Sequence, residues 1–106
     1  MITAINRPLK EFKENIKMLY GDKLKNIILY GSWARGTATD DSDIDLIVTL
    51  TGNVTPGAEI DKMINVITEV NLKYGVLISV YPVSEKEYSI TKSPILMNVR
   101  KEGISV

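Results

Sequence analysis

The chain of 106 residues falls within the range of one folded unit, and 44% apolar with 25% charged residues is the make-up of a globular domain, not of a disordered or fibrous chain. Thirteen basic residues balance thirteen acidic ones, so no broad positive field exists to hold a duplex nucleic acid by counterion release. Without cysteine or histidine there is neither a disulfide nor a thiolate or imidazole metal ligand, and any metal must be held by oxygen, as Mg²⁺, Mn²⁺ and Ca²⁺ are.

From the N-terminus, Leu9, Phe12, Ile16, Leu19 and Tyr20 recur at spacings of three and four, which predicts an amphipathic helix over residues 7–20 with Asn6 as its cap and Gly21 beyond its end. Ile27 to Tyr30 is a short apolar run that stops at Gly31 and reads as a buried strand. A polar stretch to Asp41 follows. From Ser42 to Leu50 the residues alternate, with Ile44, Leu46, Val48 and Leu50 on one face and Asp43, Asp45, Ile47 and Thr49 on the other. Pro56 opens a second helix whose stripe is Ile60, Met63, Ile64, Ile67 and Val70, ending near Gly75. Val76 to Val83 predicts a third strand. Ser84 and Glu87 have capping-box spacing, Ser93-Pro94 opens a short helix through Leu96 and Val99, and Ile104 to Val106 suits an edge strand.

No linker or repeat divides the chain, so residues 1–106 are read as one domain. The order α-β-β-α-β-α predicts an α/β (α+β) fold, a two-layer sandwich with helices on one face of the sheet and an antiparallel pairing of the first two strands. The apolar run Asn26 to Tyr30 is far shorter than the roughly 20 residues of a membrane helix. The first residues lack the charged-then-apolar order of a secretory signal, so a cytoplasmic protein is expected.

The chemistry concentrates between Gly31 and Leu46. Gly31 permits a sharp turn and close backbone approach, and the Ser32 hydroxyl beside free N–H groups suits phosphate oxygens, the more so if Ser32 begins a helical turn. Asp43 and Asp45, two apart on a strand, leave the same face about 7 Å apart and can converge on one ion. A pair of carboxylates whose Mg²⁺ also contacts substrate phosphates is the usual arrangement for that cation. Arg35 could pair with a phosphate or with one of the nearby aspartates. Trp33 is read as packing, Asp40 and Asp41 as solvated loop residues, and Lys23, Lys25, Lys62 and Lys73 as solvated.

Gly31-Ser32, Ala34-Arg35-Gly36 and Ser42-Asp43-Ile44-Asp45-Leu46 together resemble the signature of the minimal nucleotidyltransferases, the MNT branch of the DNA polymerase β-like superfamily, and the Pro82 to Tyr88 run is similar as well. The resemblance implies a mixed sheet of the polymerase β palm type and transfer of a nucleoside monophosphate, usually AMP from ATP, to an acceptor. It places the triphosphate on Gly31 and Ser32 and the metal on Asp43 and Asp45. It also implies a small helical HEPN toxin as partner and acceptor. The family's fully active members carry a third acidic residue on a later strand, where this chain has Leu77 or Ser79; Glu85 lies just beyond that strand. Two alternatives stand beside the enzyme: a binding module that keeps a weakened nucleotide site and covers its partner, and the catalytic half of a two-chain enzyme. Exposed apolar helix surface would serve a homo-oligomer as well as a foreign partner.

Overall fold

The structure, a computed structural model, describes residues 2–106. After a 3₁₀ turn at Ile2–Ile5, helix α1 spans Asn6–Tyr20 and buries Leu9, Phe12 and Ile16 of the predicted stripe, while Tyr20 is half-buried and Leu19, at the end of the helix, is exposed. Asn6 is the first helical residue; the cap position falls on Ile5, which has no side-chain acceptor to offer. A 3₁₀ turn at Gly21–Lys23 leads into strand β1, Leu24–Tyr30, three residues longer at its start than the apolar run because Leu24 and Asn26 pair with Leu50 and Thr49 at the sheet's far end, with an irregularity in register between them. Then come a one-turn helix α2 at Ser32–Arg35, strand β2 at Ile44–Leu50, helix α3 at Pro56–Tyr74 and strand β3 at Ile78–Ser84. Helices α4, Glu85–Ile90, and α5, Pro94–Glu102, precede the two-residue strand β4, Ile104–Ser105.

The four strands lie in the order β3-β2-β1-β4. β1 is antiparallel to both β2 and β4, while β2 and β3 are parallel, so the sheet is mixed as expected. The parallel step is made by α3, the crossover that such a connection requires. Both short helices open on serine caps: Ser84 Oγ accepts from the Glu87 N–H at 3.0 Å and Ser93 Oγ from the Leu96 N–H at 3.3 Å. Each satisfies a backbone donor that the first helical turn leaves free.

The alternation in β2 decides how the layers form. Ile44, Leu46, Val48 and Leu50 join Ile27, Leu29 and Ile78 on the face covered by α1 and α3, where Phe12, Ile16, Met63 and Val70 are fully buried. At about 1.5–3 kcal/mol for each large apolar side chain withdrawn from water, this layer supplies most of the hydrophobic stabilisation. The opposite face carries a smaller core of Ile28, Ile47 and Val83 under Leu96 and Val99 of α5. The long helices thus lie on one face as predicted, and α5 adds a partial third layer that the helix count did not foretell. It packs on the middle of that face, with Tyr30 against its edge, while Asp45 is partly buried and Ser79 exposed.

At the β3 edge, the Ile78 N–H is taken by Asn71 Oδ1 at 2.9 Å, and Pro82 has no N–H to give. Both residues belong to the alternate set that points away from β2, so this edge is poorly equipped for strand addition. No helix of the described residues is long and apolar enough to cross a membrane.

Candidate nucleotide and metal site

The antiparallel return from β1 to β2 brings the two halves of the motif together. Tyr30, the last residue of β1, lies opposite Asp45 near the start of β2, so the turn at Gly31 sits directly beside that carboxylate. Gly31 has φ 74° and ψ −154°, a region essentially confined to glycine. A Cβ at this position would collide with Asp45 Oδ2 and come within 3.3 Å of its Cγ. Backbone conformation and the space left by Asp45 demand glycine independently.

Helix α2 starts immediately after this turn. Its first turn closes with the Arg35 N–H donating to the Gly31 carbonyl at 3.1 Å, and it ends at Gly36, whose φ of 77° and ψ of 18° are left-handed. The N–H groups of Ser32, Trp33 and Ala34 precede the first intrahelical bond and are free to bind an anion. Trp33 is a packing residue, only 6% exposed, and its indole N–H donates to the Ser42 carbonyl at 3.1 Å. This bond fastens α2 to the segment that delivers Asp43. Ser42 also turns the loop, its hydroxyl accepting from the Thr39 N–H at 2.9 Å, while Asp40 and Asp41 are exposed.

Asp43 is exposed and Asp45 partly buried. Burial holds the Asp45 carboxyl above the usual carboxylate range, the Asp43 charge pushes it further in the same direction, and Arg35 offsets part of this. The nearby Tyr30 phenol is also raised, first by burial and then by the Asp45 and Tyr81 charges. A carboxyl whose ionisation is disfavoured by burial and by a neighbouring carboxylate is one that a cation would relieve. With an all-oxygen donor set, the pair fits a hard divalent ion. Among the described residues there is no cluster of three or more acidic or other ligand side chains.

The position of a third acid can be read from strand register. Asp45 pairs with Ser79 on β3, so Tyr30, Asp45 and Ser79 form one row across the open face. Of the two sequence candidates, Ser79 is therefore the neighbour of Asp45. Glu85 cannot take its place. It opens α4 beyond the other end of β3, six residues on from Ser79 and roughly 20 Å away at a strand's rise per residue. Arg35 pairs with neither neighbouring aspartate; its guanidinium lies 3.6 Å from Glu102 of α5, a partner 67 positions away that no local pattern could reveal. Lys73, expected to be solvated, is bound to Glu11 at 2.6 Å, and Lys62 lies 3.7 Å from Glu59.

β2 starts at Ile44, so Asp43 lies just before the strand and not on it as predicted, and only Asp45 is strand-borne. A glycine turn that opens a helix, pressed against one such carboxylate with a second two residues away, is the arrangement of a phosphate-handling, metal-assisted transferase. The chain belongs to the nucleotidyltransferase domain family, whose pattern matches residues 9–104. Members of this family act on a nucleoside triphosphate with a divalent metal. Among relatives, the chain is 39% identical over 83 residues, 78% of its length and 77% of the other's, to a Methanocaldococcus jannaschii protein named "Putative protein adenylyltransferase MJ0604". A second protein of that organism, MJ0141, has the same descriptive name and is 35% identical over 98 residues, covering 92% of this chain and 94% of the relative.

Solved structures share the fold. A toxin-antitoxin complex with AMP-PNP superposes with a TM-score of 0.59 at 22% identity, covering 89% of this chain and 70% of the other. A Sulfolobus solfataricus nucleotidyltransferase structure gives 0.57 at 20% identity, over 93% and 76% of the two chains. An MNT antitoxin bound to the tri-AMPylated HEPN toxin of Shewanella oneidensis gives 0.50 at 19% identity, over 92% and 70%.

Proposed function

We propose that this chain transfers AMP from Mg-ATP to a hydroxyl group of a protein, with a small helical HEPN-type protein in the cytoplasm as the acceptor. The closeness of Gly31 to Asp45 carries the reading, because it would bring a phosphate-binding turn and a metal-binding carboxylate to one point. The descriptive name of the relatives at 39% and 35% identity supports the choice of AMP and of a protein acceptor.

In this reading Asp43 and Asp45 hold Mg²⁺, which when bound supplies charge neutralisation for the phosphates and the departing pyrophosphate. Gly31 lets the chain approach the triphosphate closely, and Ser32 with the first N–H groups of α2 binds its oxygens. Trp33, through its bond to Ser42, keeps that cradle in register with Asp43. The acceptor oxygen forms a bond to the α-phosphorus, the bond from that phosphorus to the bridging oxygen breaks in line, and pyrophosphate leaves. The hydroxyl proton passes to water.

Ser79 in the row beside Asp45 favours a second reading, a binding module with a weakened nucleotide site that acts by covering its partner. Incubation with α-labelled ATP and Mg²⁺, with and without the protein encoded next to it, separates the two. Label transfer that disappears in the Asp43→Asn, Asp45→Asn double variant supports the enzyme. Tight partner binding with no transfer under any condition supports the binding module.

A further inference from the structure

Gly31 is shared between the phosphate turn and a cleft of about 310 Å³ between α2 and α5, whose walls include Tyr30, Arg35, Ile95, Asn98 and Glu102. That volume is at the lower end for small-molecule sites, suited to a nucleoside and not to a whole triphosphate. The site face has two directions in which the rest of a nucleotide could extend from the turn. Towards β3 the row continues through Ser79, and near Leu77 lies a cleft of about 300 Å³, but three carboxylates, Asp40, Asp41 and Asp43, stand in its lining and make it a poor seat for an anionic nucleotide. Towards α5 there is a walled cleft. Its Tyr30 ring and Ile95 side chain offer an apolar seat for a base, and polar groups stand at its edge.

We propose that this cleft is the nucleoside subsite, with Asn98 reading the edge of an adenine and Glu102 accepting from the ribose hydroxyls, and that the β3 side is left for the acceptor. The inference rests on the assignment of the triphosphate to Gly31 and Ser32. Asn98 is the chemical ground for adenine. Its amide offers one acceptor and one donor face side by side, matching the exocyclic amine and adjacent ring nitrogen of adenine; guanine presents two acceptors there. Arg35 and Glu102, 3.6 Å apart with both side chains about half exposed, form the rim. Their pairing keeps the Glu102 carboxylate at the cleft while leaving lone pairs free for hydroxyl donors.

The test is calorimetric binding of ATP, GTP and inorganic tripolyphosphate, each with Mg²⁺, to the wild-type chain and to Asn98→Ala and Ile95→Trp, two changes at exposed positions whose folding is checked by thermal melting. The wild type is expected to prefer ATP to GTP. Asn98→Ala weakens ATP about tenfold, the loss of one paired base contact, with a smaller effect on GTP. Ile95→Trp fills the cleft and weakens both nucleotides. Tripolyphosphate, which lacks a nucleoside, binds all three proteins equally. Unchanged ATP affinity in both variants overturns the subsite alone, provided that ATP and tripolyphosphate still bind in a manner dependent on Asp43 and Asp45. A wild-type chain that binds neither overturns the phosphate site and this inference with it.

Discussion

Replacing Gly31 by alanine is the most informative single change. At φ 74° and ψ −154° a Cβ forces a backbone conformation worth roughly 1–3 kcal/mol of strain. The same Cβ collides with Asp45 Oδ2, so the carboxylate must also shift away from the turn. Together these effects give an expected loss of about 2–4 kcal/mol, which for a domain near this size lowers Tm by on the order of 10–25 °C. The displacement should reduce AMP transfer about a hundredfold wherever the fold survives, since an ångström of misplacement at a reacting centre has that effect. Scanning calorimetry and label transfer from α-labelled ATP measure the two losses. Combining Gly31→Ala with Asp45→Ala removes the collision and leaves the backbone strain, so the double variant should melt above Gly31→Ala. Gly36→Ala is the control: its φ of 77° is equally unusual, but the space around it is open, and about 1–2 kcal/mol is expected. Gly31→Ala that melts and transfers like wild type would refute the argument.

Asp45 carries a pH signature. Its carboxyl titrates higher in the folded chain than in the unfolded one, so its contribution to stability is fully present below the unfolded value and is lost as pH rises through the folded value. Without divalent metal, Asp45→Asn should therefore stabilise the fold at pH 7 by roughly 0.5 kcal/mol after solvent screening, read as a higher Tm, and leave Tm unchanged near pH 3. Tyr20 donates to Glu59 Oε1 at 2.8 Å, and Glu59 is only 9% exposed; Tyr20→Phe should cost about 1–2 kcal/mol in chemical denaturation. Ser84→Ala removes the cap on the Glu87 N–H and should cost about 1 kcal/mol by the same assay, with no effect on ATP affinity. Ser79→Asp puts a third carboxylate beside Asp45 and should lower the metal-free Tm while raising the rate of transfer at least about tenfold.

Much of the fold was written locally. The spacing of Leu9, Phe12 and Ile16 matches a burial pattern because one face of α1 meets a core, whereas β2 is buried on both faces from Leu46 onwards and its alternation sorts side chains between two cores. The ends of elements were less legible: β3 begins at Ile78, two residues after Val76, because the chain first has to leave α3 through Gly75 in a left-handed turn at φ 63°. The partial layer under α5 was hidden for a different reason. Leu96 and Val99 advertise an apolar stripe, but which face of the sheet receives it depends on the path after β3, which has no short-range signal.

The site divides along the same line. Gly31, Ser32, Asp43 and Asp45 were readable because a glycine turn and a strand-end carboxylate pair are close in sequence, and the β1–β2 return needs no long-range knowledge to bring them together. Ser79 enters through register, and Asn98 and Glu102, which line the cleft proposed for the nucleoside, through helix placement. The parallel pairing of β2 with β3 sends Ser84 to the level of Leu50, and so carries Glu85 away from Asp45 by the full length of the strand. Any shift of register that brought Glu85 closer would move Ile78 and Val80 out of line with Ile44 and Leu46, and a one-residue slip would turn the buried face of β3 outwards. The core that makes β3 a stable strand is thus what holds the acids that open α4, Glu85 and Glu87, away from Asp45, and in the proposed reaction the rate has to come from Asp43, Asp45 and the geometry of the α2 turn.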